Sequence, residues 1–213
     1  EEVAKKFAKL LGMDPWLINP MFTRCAAVDF SGDRARDELM AQAEMLLGKV
    51  RRKYKEYGIQ EKPFVIVKAD AGTSGPSLMT VRDPKDLIDL SRLKRGLKEG
   101  QQVADMILQE GVPTYERVND AVAEPVVCMI DRYVVGGFYR VNAGRGIDEA
   151  LDVPGASYVP LAFAESTQLP RTGLKPGASA PNRFYMYGVI ARLAMVAASY
   201  EMEATDPEAE VYE

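Results

Sequence analysis

The stretch Phe64 to Asp83, FVIVKADAGTSGPSLMTVRD, decides the reading of this chain. An apolar strand (Phe64 to Val67) ends on a lysine, a small loop follows, and a second strand (Leu78 to Val81) returns. Side chains alternate across a strand, so Lys68 and Asp70 share a face and set a cation beside a carboxylate at the loop's mouth. The loop, Ala71 to Ser77, carries Gly72, Thr73, Ser74 and Gly75, whose backbones can turn several N–H groups onto one anion. A triphosphate with its metal needs such parts: a point charge, backbone donors around the phosphates, and a carboxylate for Mg2+. The pattern is not a Walker A loop, in which the lysine follows the last glycine at the head of a helix. Here the lysine precedes the loop and a strand follows, the order of a hairpin that folds over a nucleotide as a lid. The plainer alternative is a solvated lysine beside an ordinary Gly/Ser/Pro turn.

Composition narrows the classes. The chain has 213 residues and 47% apolar content, enough for one large domain or two small ones with a substantial core. A net charge of −4 argues against nucleic acid as the main partner. Histidine is absent, which removes the commonest general base, the usual zinc ligand and every Ser-His or Cys-His triad. Chemistry must then run on carboxylates, Lys, Arg, backbone donors and oxygen-bound metals. Cys25 and Cys128 stand far apart and no secretory signal precedes them, so they are expected as reduced thiols in a cytoplasmic protein. The chain opens without methionine and inside a helical pattern, Glu1 to Leu11, which points to a piece of a longer protein or a processed product.

Periodicity supplies the other elements. After the Gly-Met-Asp-Pro break the segment to Gly32 reads as irregular. From Asp33 to Tyr57, Leu39, Ala43, Leu46, Leu47, Val50, Tyr54 and Tyr57 recur at helical spacing, with Asp33 as N-cap and Gly58 as stop. The basic run Lys49 to Lys55 opposes that helix's dipole and reads as a solvated face. Pro84 to Leu97 looks helical; Met106 to Glu110, Val126 to Ile130, Tyr133 to Val141 and Ser157 to Phe163 read as strands. Glu165 to Asn182 is a Pro/Gly/Ser-rich loop, too long for a simple connector. The last helix, Asn182 to about Glu203, is apolar nearly all round, which predicts a buried core helix; Arg183 and Arg192 break it below the ~20 apolar residues of a bilayer span.

A second polar constellation gathers in the β-rich middle. Gln109 and Glu110 end one strand, Glu124 precedes the next, and Asp131, Arg132, Arg140 and Asn142 lie around a third. Arg140 and Asn142 share a strand face. Beside a lysine-bearing loop these residues suit a cleft for a nucleotide and an acidic substrate. An antiparallel sheet with one wet face would show them too.

The blocks ADAGTSG, LMTV, LQEGVPTYERVNDAVAEPVV, DRYVVGGFYRVN, PGASYVPLAF and KPGASAPNRFYMYGV resemble a small proteobacterial family of glutamate–cysteine ligases, over nearly the whole chain. The resemblance implies an α/β (α+β) fold: an ATP-grasp-like module of mostly antiparallel sheet flanked by helices. Residues 1–60 would be a helical segment leading into a nucleotide- and substrate-binding domain at 61–213. It implies ATP and Mg2+ as cofactors, and glutamate and cysteine as small-molecule substrates, with no nucleic acid or membrane partner. It matches the C-terminal half of that family, so a missing N-terminal half or a homo-oligomer would complete the site. Lys68 would hold phosphates under a lid of Gly72, Thr73 and Gly75. Gln109, Glu110 and Val112 would form the hinge that meets adenine through backbone contacts. Arg140 would bind a carboxylate or acyl phosphate, with Asn142 and Glu124 completing the polar wall. Asp70, chosen for its shared face with Lys68, and Glu124 are the candidate metal ligands.

The chain departs from the family pattern in three places. The lid reads Gly72-Thr-Ser-Gly-Pro-Ser77 where the family has tyrosine, methionine and another glycine; Pro76 removes an N–H donor. Ala150 and Asp152 replace asparagines. No Glu-x-Asn metal strand follows Phe163. The expected reaction is acyl activation: ATP phosphorylates the glutamate γ-carboxylate and the cysteine amine displaces phosphate. The alternative is a non-catalytic nucleotide- or metabolite-binding fragment of such an enzyme.

Overall fold

A computed structural model describes residues 1–70, 78–95, 97, 100–161 and 183–206. Two four-stranded sheets, with helices beside them, make an α+β fold as expected. Contacts divide the chain into two compact units that alternate along the sequence and do not follow a division at residue 60. One holds Glu1–Asn19, Glu116–Val141 and Ser157–Glu213; the other holds Pro20–Tyr115 and Asn142–Ala156.

The Pro20–Tyr115 unit is built on β1 (Phe22–Asp29), β2 (Val65–Ala69), β3 (Met79–Val81) and β4 (Val103–Glu110), in the order β1-β4-β2-β3. β4 lies in the middle, antiparallel to both neighbours. Its alternation is followed closely: Ala104, Met106, Leu108 and Glu110 are buried. Helix α2 (Arg34–Tyr57) buries Leu39, Ala43, Leu46, Leu47, Val50 and Tyr54 of the predicted stripe, together with Ala35, while Tyr57, expected in it, is exposed. Each buried leucine there contributes about 1.5–3 kcal/mol. Gly58, at φ 68°, ends the helix in the left-handed turn that glycine adopts without strain. Asp33 stands at the N-cap, but its carboxylate pairs with Arg36 (3.1 Å) instead of capping a backbone N–H.

Two expectations fail in this unit. The segment read as irregular holds strand β1. Its alternation is broken by a bulge between Cys25 and Val28, so two buried residues stand three apart instead of two. Ala27 takes φ 52° there and donates its N–H to the Asp105 carboxylate at 2.7 Å. The helix expected over Pro84 to Leu97 is a 3₁₀ segment, Pro84–Ile88, and a single α-turn, α3 (Ser91–Lys94). Asp83 and Asp86 form a capping box on the first, and Asp89, extended, separates the two.

The Glu116–Val141 unit carries β5 (Arg117–Val118), β6 (Ala121–Ile130), β7 (Tyr133–Asn142) and β8 (Ser157–Pro160), paired in that order. Asn119 (φ 48°) and Asp120 (φ 64°) make a two-residue hairpin turn of left-handed residues, which suits the twist of β5 and β6. β6 starts five residues earlier than expected. Pro125 is tolerated because β5 pairs only as far as Val122, leaving an edge without a ladder partner on that side among the described residues. Phe163, the expected end of β8, and the loop to Asn182 lie outside the described residues. Helices α1 (Glu2–Leu11) and α4 (Arg183–Thr205) belong to this unit. α4 is not the buried core helix expected: Met186, Met195, Val196, Tyr200 and Met202 are all exposed. Among the described residues no helix is long and apolar enough to cross a membrane. Cys25 is buried, Cys128 exposed, and both are free.

Gly111, just past β4, donates its N–H to the Phe64 carbonyl at 2.8 Å, and a Cβ built on it would overlap the Phe64 ring. Phe64 is itself buried and cannot swing away. Gly111→Ala is expected to cost about 1–3 kcal/mol through this overpacking, read as a lower urea midpoint with an unchanged slope.

Candidate functional site

Lys68 sits near the end of β2, half-buried, with the buried Val65 and Val67 anchoring the strand beneath it. Asp70 follows the strand, its N–H bonded to the Asp105 carbonyl (2.8 Å) and its carboxylate 3.5 Å from the Arg24 guanidinium. Gly72, Thr73, Gly75 and Pro76 lie outside the described residues.

The expected hinge is split by its hydrogen bonds. Gln109 is paired on both sides, with Phe22 and with Ile66, inside the ladder. Glu110 is buried, and it closes a ring with Met21: its N–H donates to the Met21 carbonyl (2.7 Å) while its carboxylate accepts the Met21 N–H (2.9 Å). The ladder ends at Glu110, so Val112, exposed beyond it, is the member of the trio whose backbone lies past the sheet.

Arg140 lies on β7 and Glu124 on the neighbouring β6; their charged groups meet at 2.6 Å, both part-buried. The β7–β8 register sets Arg140 opposite Tyr158 and Phe138 opposite Pro160, and the rings of Phe138 and Tyr158 meet edge to face at 5.4 Å. Arg140 is thus ion-paired with a carboxylate on one neighbouring strand and stands opposite Tyr158 on the other. The aromatic pair was not legible beforehand, because Phe138 and Tyr158 are brought together by strand pairing.

Asn142 ends β7 and is buried. Its Oδ1 accepts the Gly144 N–H at 3.1 Å, while its Nδ2 is enclosed and has no hydrogen-bond partner among the described residues. A buried amide donor left without an acceptor costs about 1–3 kcal/mol, which an oxyanion supplied from outside would recover. The loop that follows is pinned at several points. Ile147 accepts the Thr114 N–H (2.7 Å), Asp148 forms an ion pair with Arg82, and Glu149 accepts the Gly146 N–H (2.7 Å) while pairing with Arg145 (3.2 Å). The Gly146 N–H, and then the Arg145 guanidinium, hold the Glu149 carboxyl below its ordinary value. None of Arg82, Arg145, Asp148 or Glu149 was singled out from sequence; the glycines at 144, 146 and 155 were the available signal of a tightly folded loop.

Arg140 and Glu124 therefore come together in one unit, and Lys68, Asp70, Gln109, Glu110, Val112 and Asn142 belong to the other. Among the described residues no three His, Cys, Asp or Glu side chains gather as a metal site.

A family model for glutamate-cysteine ligase matches residues 1–202. The chain belongs to the glutamate–cysteine ligase family. A crystal structure from Methylobacillus flagellatus KT, of a protein assigned as a gamma-glutamylcysteine synthetase, superimposes with a TM-score of 0.81 at 50% identity. The match covers 96% of this chain and 49% of that one, so this chain spans about half the length of its solved relative. No curated protein matches. The family resemblance read from the sequence blocks and the α+β fold with antiparallel sheets both stand.

Glu149 carries a pH dependence with a definite sign. A carboxyl held below its unfolded value (about 4.3) adds stability that is fully present above that value and is lost as pH falls through the lowered folded value. Glu149→Gln is expected to lower the melting temperature near neutrality. The gap to the unsubstituted chain should close as pH drops below about 4, a trend that melting curves from pH 7 to pH 3 would measure.

Proposed function

We propose that this chain is the nucleotide- and substrate-binding half of an ATP-dependent ligase that joins the cysteine amine to the γ-carboxylate of glutamate. The observation that carries the reading is the family match through residue 202 together with 50% identity to the Methylobacillus flagellatus protein. Support from the site is chemical. Arg140, a planar bidentate donor steadied by Glu124, suits a carboxylate or an acyl phosphate. The enclosed Asn142 Nδ2 is a donor awaiting an oxyanion. Lys68, at the end of β2 where the glycine-rich segment begins, supplies a mobile positive charge for phosphate oxygens. An ATP-grasp module is the architecture this reading adopts, with two antiparallel sheets and their helices as its parts.

In the proposed reaction a γ-carboxylate oxygen attacks the terminal phosphorus of ATP and ADP leaves. The cysteine nitrogen then attacks the acyl carbon, phosphate departs with the bonding pair, and the nitrogen sheds its proton. A carboxylate is a poor electrophile because its leaving group would be oxide, and phosphorylation removes that obstacle. The protein's part is positioning and charge neutralisation, for which histidine is dispensable. The two metal candidates fit less well. Asp70 faces Arg24 and Glu124 faces Arg140, so each carboxylate already has a cation, and no step is assigned to a protein-held metal. Mg2+ commonly keeps most of its shell from water and substrate phosphates. Glu124 is better read as the group that orients Arg140.

A second reading, nucleotide binding without turnover, is favoured by the chain's spanning only about half of the relative. Cysteine-dependent release of ADP in the presence of glutamate separates the two; a melting shift with Mg2+-ATP and no turnover supports the second. Saturating nucleotide at a hundred times Kd should add roughly 2.7 kcal/mol of stability, and Lys68→Ala should shrink that gain. No melting shift at millimolar Mg2+-ATP would remove both readings. In the catalytically complete protein, Arg140→Lys is expected to leave folding intact and lower kcat/KM at least tenfold, about 1.4 kcal/mol, because an ammonium cannot make the bidentate contact. Steady-state kinetics with glutamate, cysteine and ATP each varied would check this.

A further inference from the structure

Helix α4 presents a contradiction between its sequence and its surroundings. Its segment GVIARLAMVAASYEM is apolar nearly all round, the signature of a helix covered on every side. Yet from Ala194 to Asp206 every residue except Ala197 is exposed, including Met195, Val196, Tyr200 and Met202. Beside it runs a groove of about 330 Å3 between α1 and α4, floored by Val3, Ala4, Ile18, Ile190, Leu193 and Ala197, with the carboxylates of Glu1 and Glu201 at its edge. Contiguous apolar surface of this kind marks an interaction site, because leaving it in water forgoes its burial.

We infer that the C-terminal half of α4 and the α1–α4 groove are the packing surface for the polypeptide corresponding to the half of the Methylobacillus flagellatus chain that has no counterpart here. Three observations choose this occupant. The family match runs through residue 202, so the bare stretch lies within the shared region. At 50% identity over 96% of this chain, the shared region keeps one fold in both proteins. And the relative has about as much chain again outside the match, enough to cover a helix that the described residues leave open. The inference concerns packing and stands apart from the ligase reading.

The test compares one pair of substitutions in two proteins. Val196→Glu and Met202→Glu together, made in the 213-residue chain, should shift its melting temperature by no more than about 2 °C, because those side chains are 45% and 72% exposed. The same changes at the aligned positions of the intact Methylobacillus flagellatus protein should lower its melting temperature by about 5 °C or more. Small shifts in both proteins would show the face bare in the longer one and overturn the inference. So would a sedimentation measurement showing this chain as a dimer that the substitutions dissociate, since a second copy would then be the occupant. A large loss in the 213-residue chain itself would assign the face to its own remaining segments and overturn it equally.

Discussion

The Pro20–Tyr115 unit depends on the closure between Glu110 and Met21. β4 is paired along both edges, and a central strand must present its core side chains in register to two neighbours at once. Glu110 fixes that register at one end by bonding the Met21 backbone through both its own backbone and its carboxylate, across 89 residues of sequence. At the other end the Asp105 carboxylate holds the Ala27 N–H in the bulge of β1. A buried carboxylate without such donors would be expensive, and here one backbone N–H arrives in the ordinary course of pairing. Glu110 thus commits its backbone N–H and its carboxylate to the architecture, and Val112 is the member of the expected hinge that lies past the strand.

Legibility from sequence varied with the kind of signal. α2 could be placed to within a residue because seven buried side chains recur at helical spacing and Gly58 ends them. β4 and β7 were visible as apolar runs. β1 was not, because a bulge at Ala27 breaks the alternation on which strand recognition rests, and its cause, a carboxylate on another strand, is non-local. The Pro84 to Leu97 segment misled in the opposite sense: leucines at helical spacing are buried by a 3₁₀ segment and a single α-turn just as well. α4 was correctly placed but wrongly buried, since periodicity reports what a helix can cover and says nothing of whether a cover is present.

For the candidate site the sequence identified residue types better than partners. Arg140 proved to be paired with Glu124, and Asn142 to be an enclosed amide. Glu124, chosen as a metal ligand, turned out to face Arg140, a relation that depends on the pairing of β6 with β7. The loop after Asn142 went unread because its charged residues serve one another: Glu149 with Gly146 and Arg145, and Asp148 with Arg82. Such local and cross-chain pairs leave no periodic trace.

The way the two units share the sequence bears on how the protein comes into being. All four strands of the β1–β4 sheet have been synthesised once residue 110 is made. The loop joined to them through Thr114–Ile147 and Arg82–Asp148 is synthesised only after the whole β5–β7 meander. The nascent sheet must therefore wait, with the sites for that loop empty, while Glu116–Val141 of the other unit is made. The other unit waits longer still, because α1 precedes all the other described elements and α4 follows them. Elements so far apart in sequence make closure slow. The interval in which α1 exists without α4 is when this polypeptide most needs shielding from its neighbours in the cell.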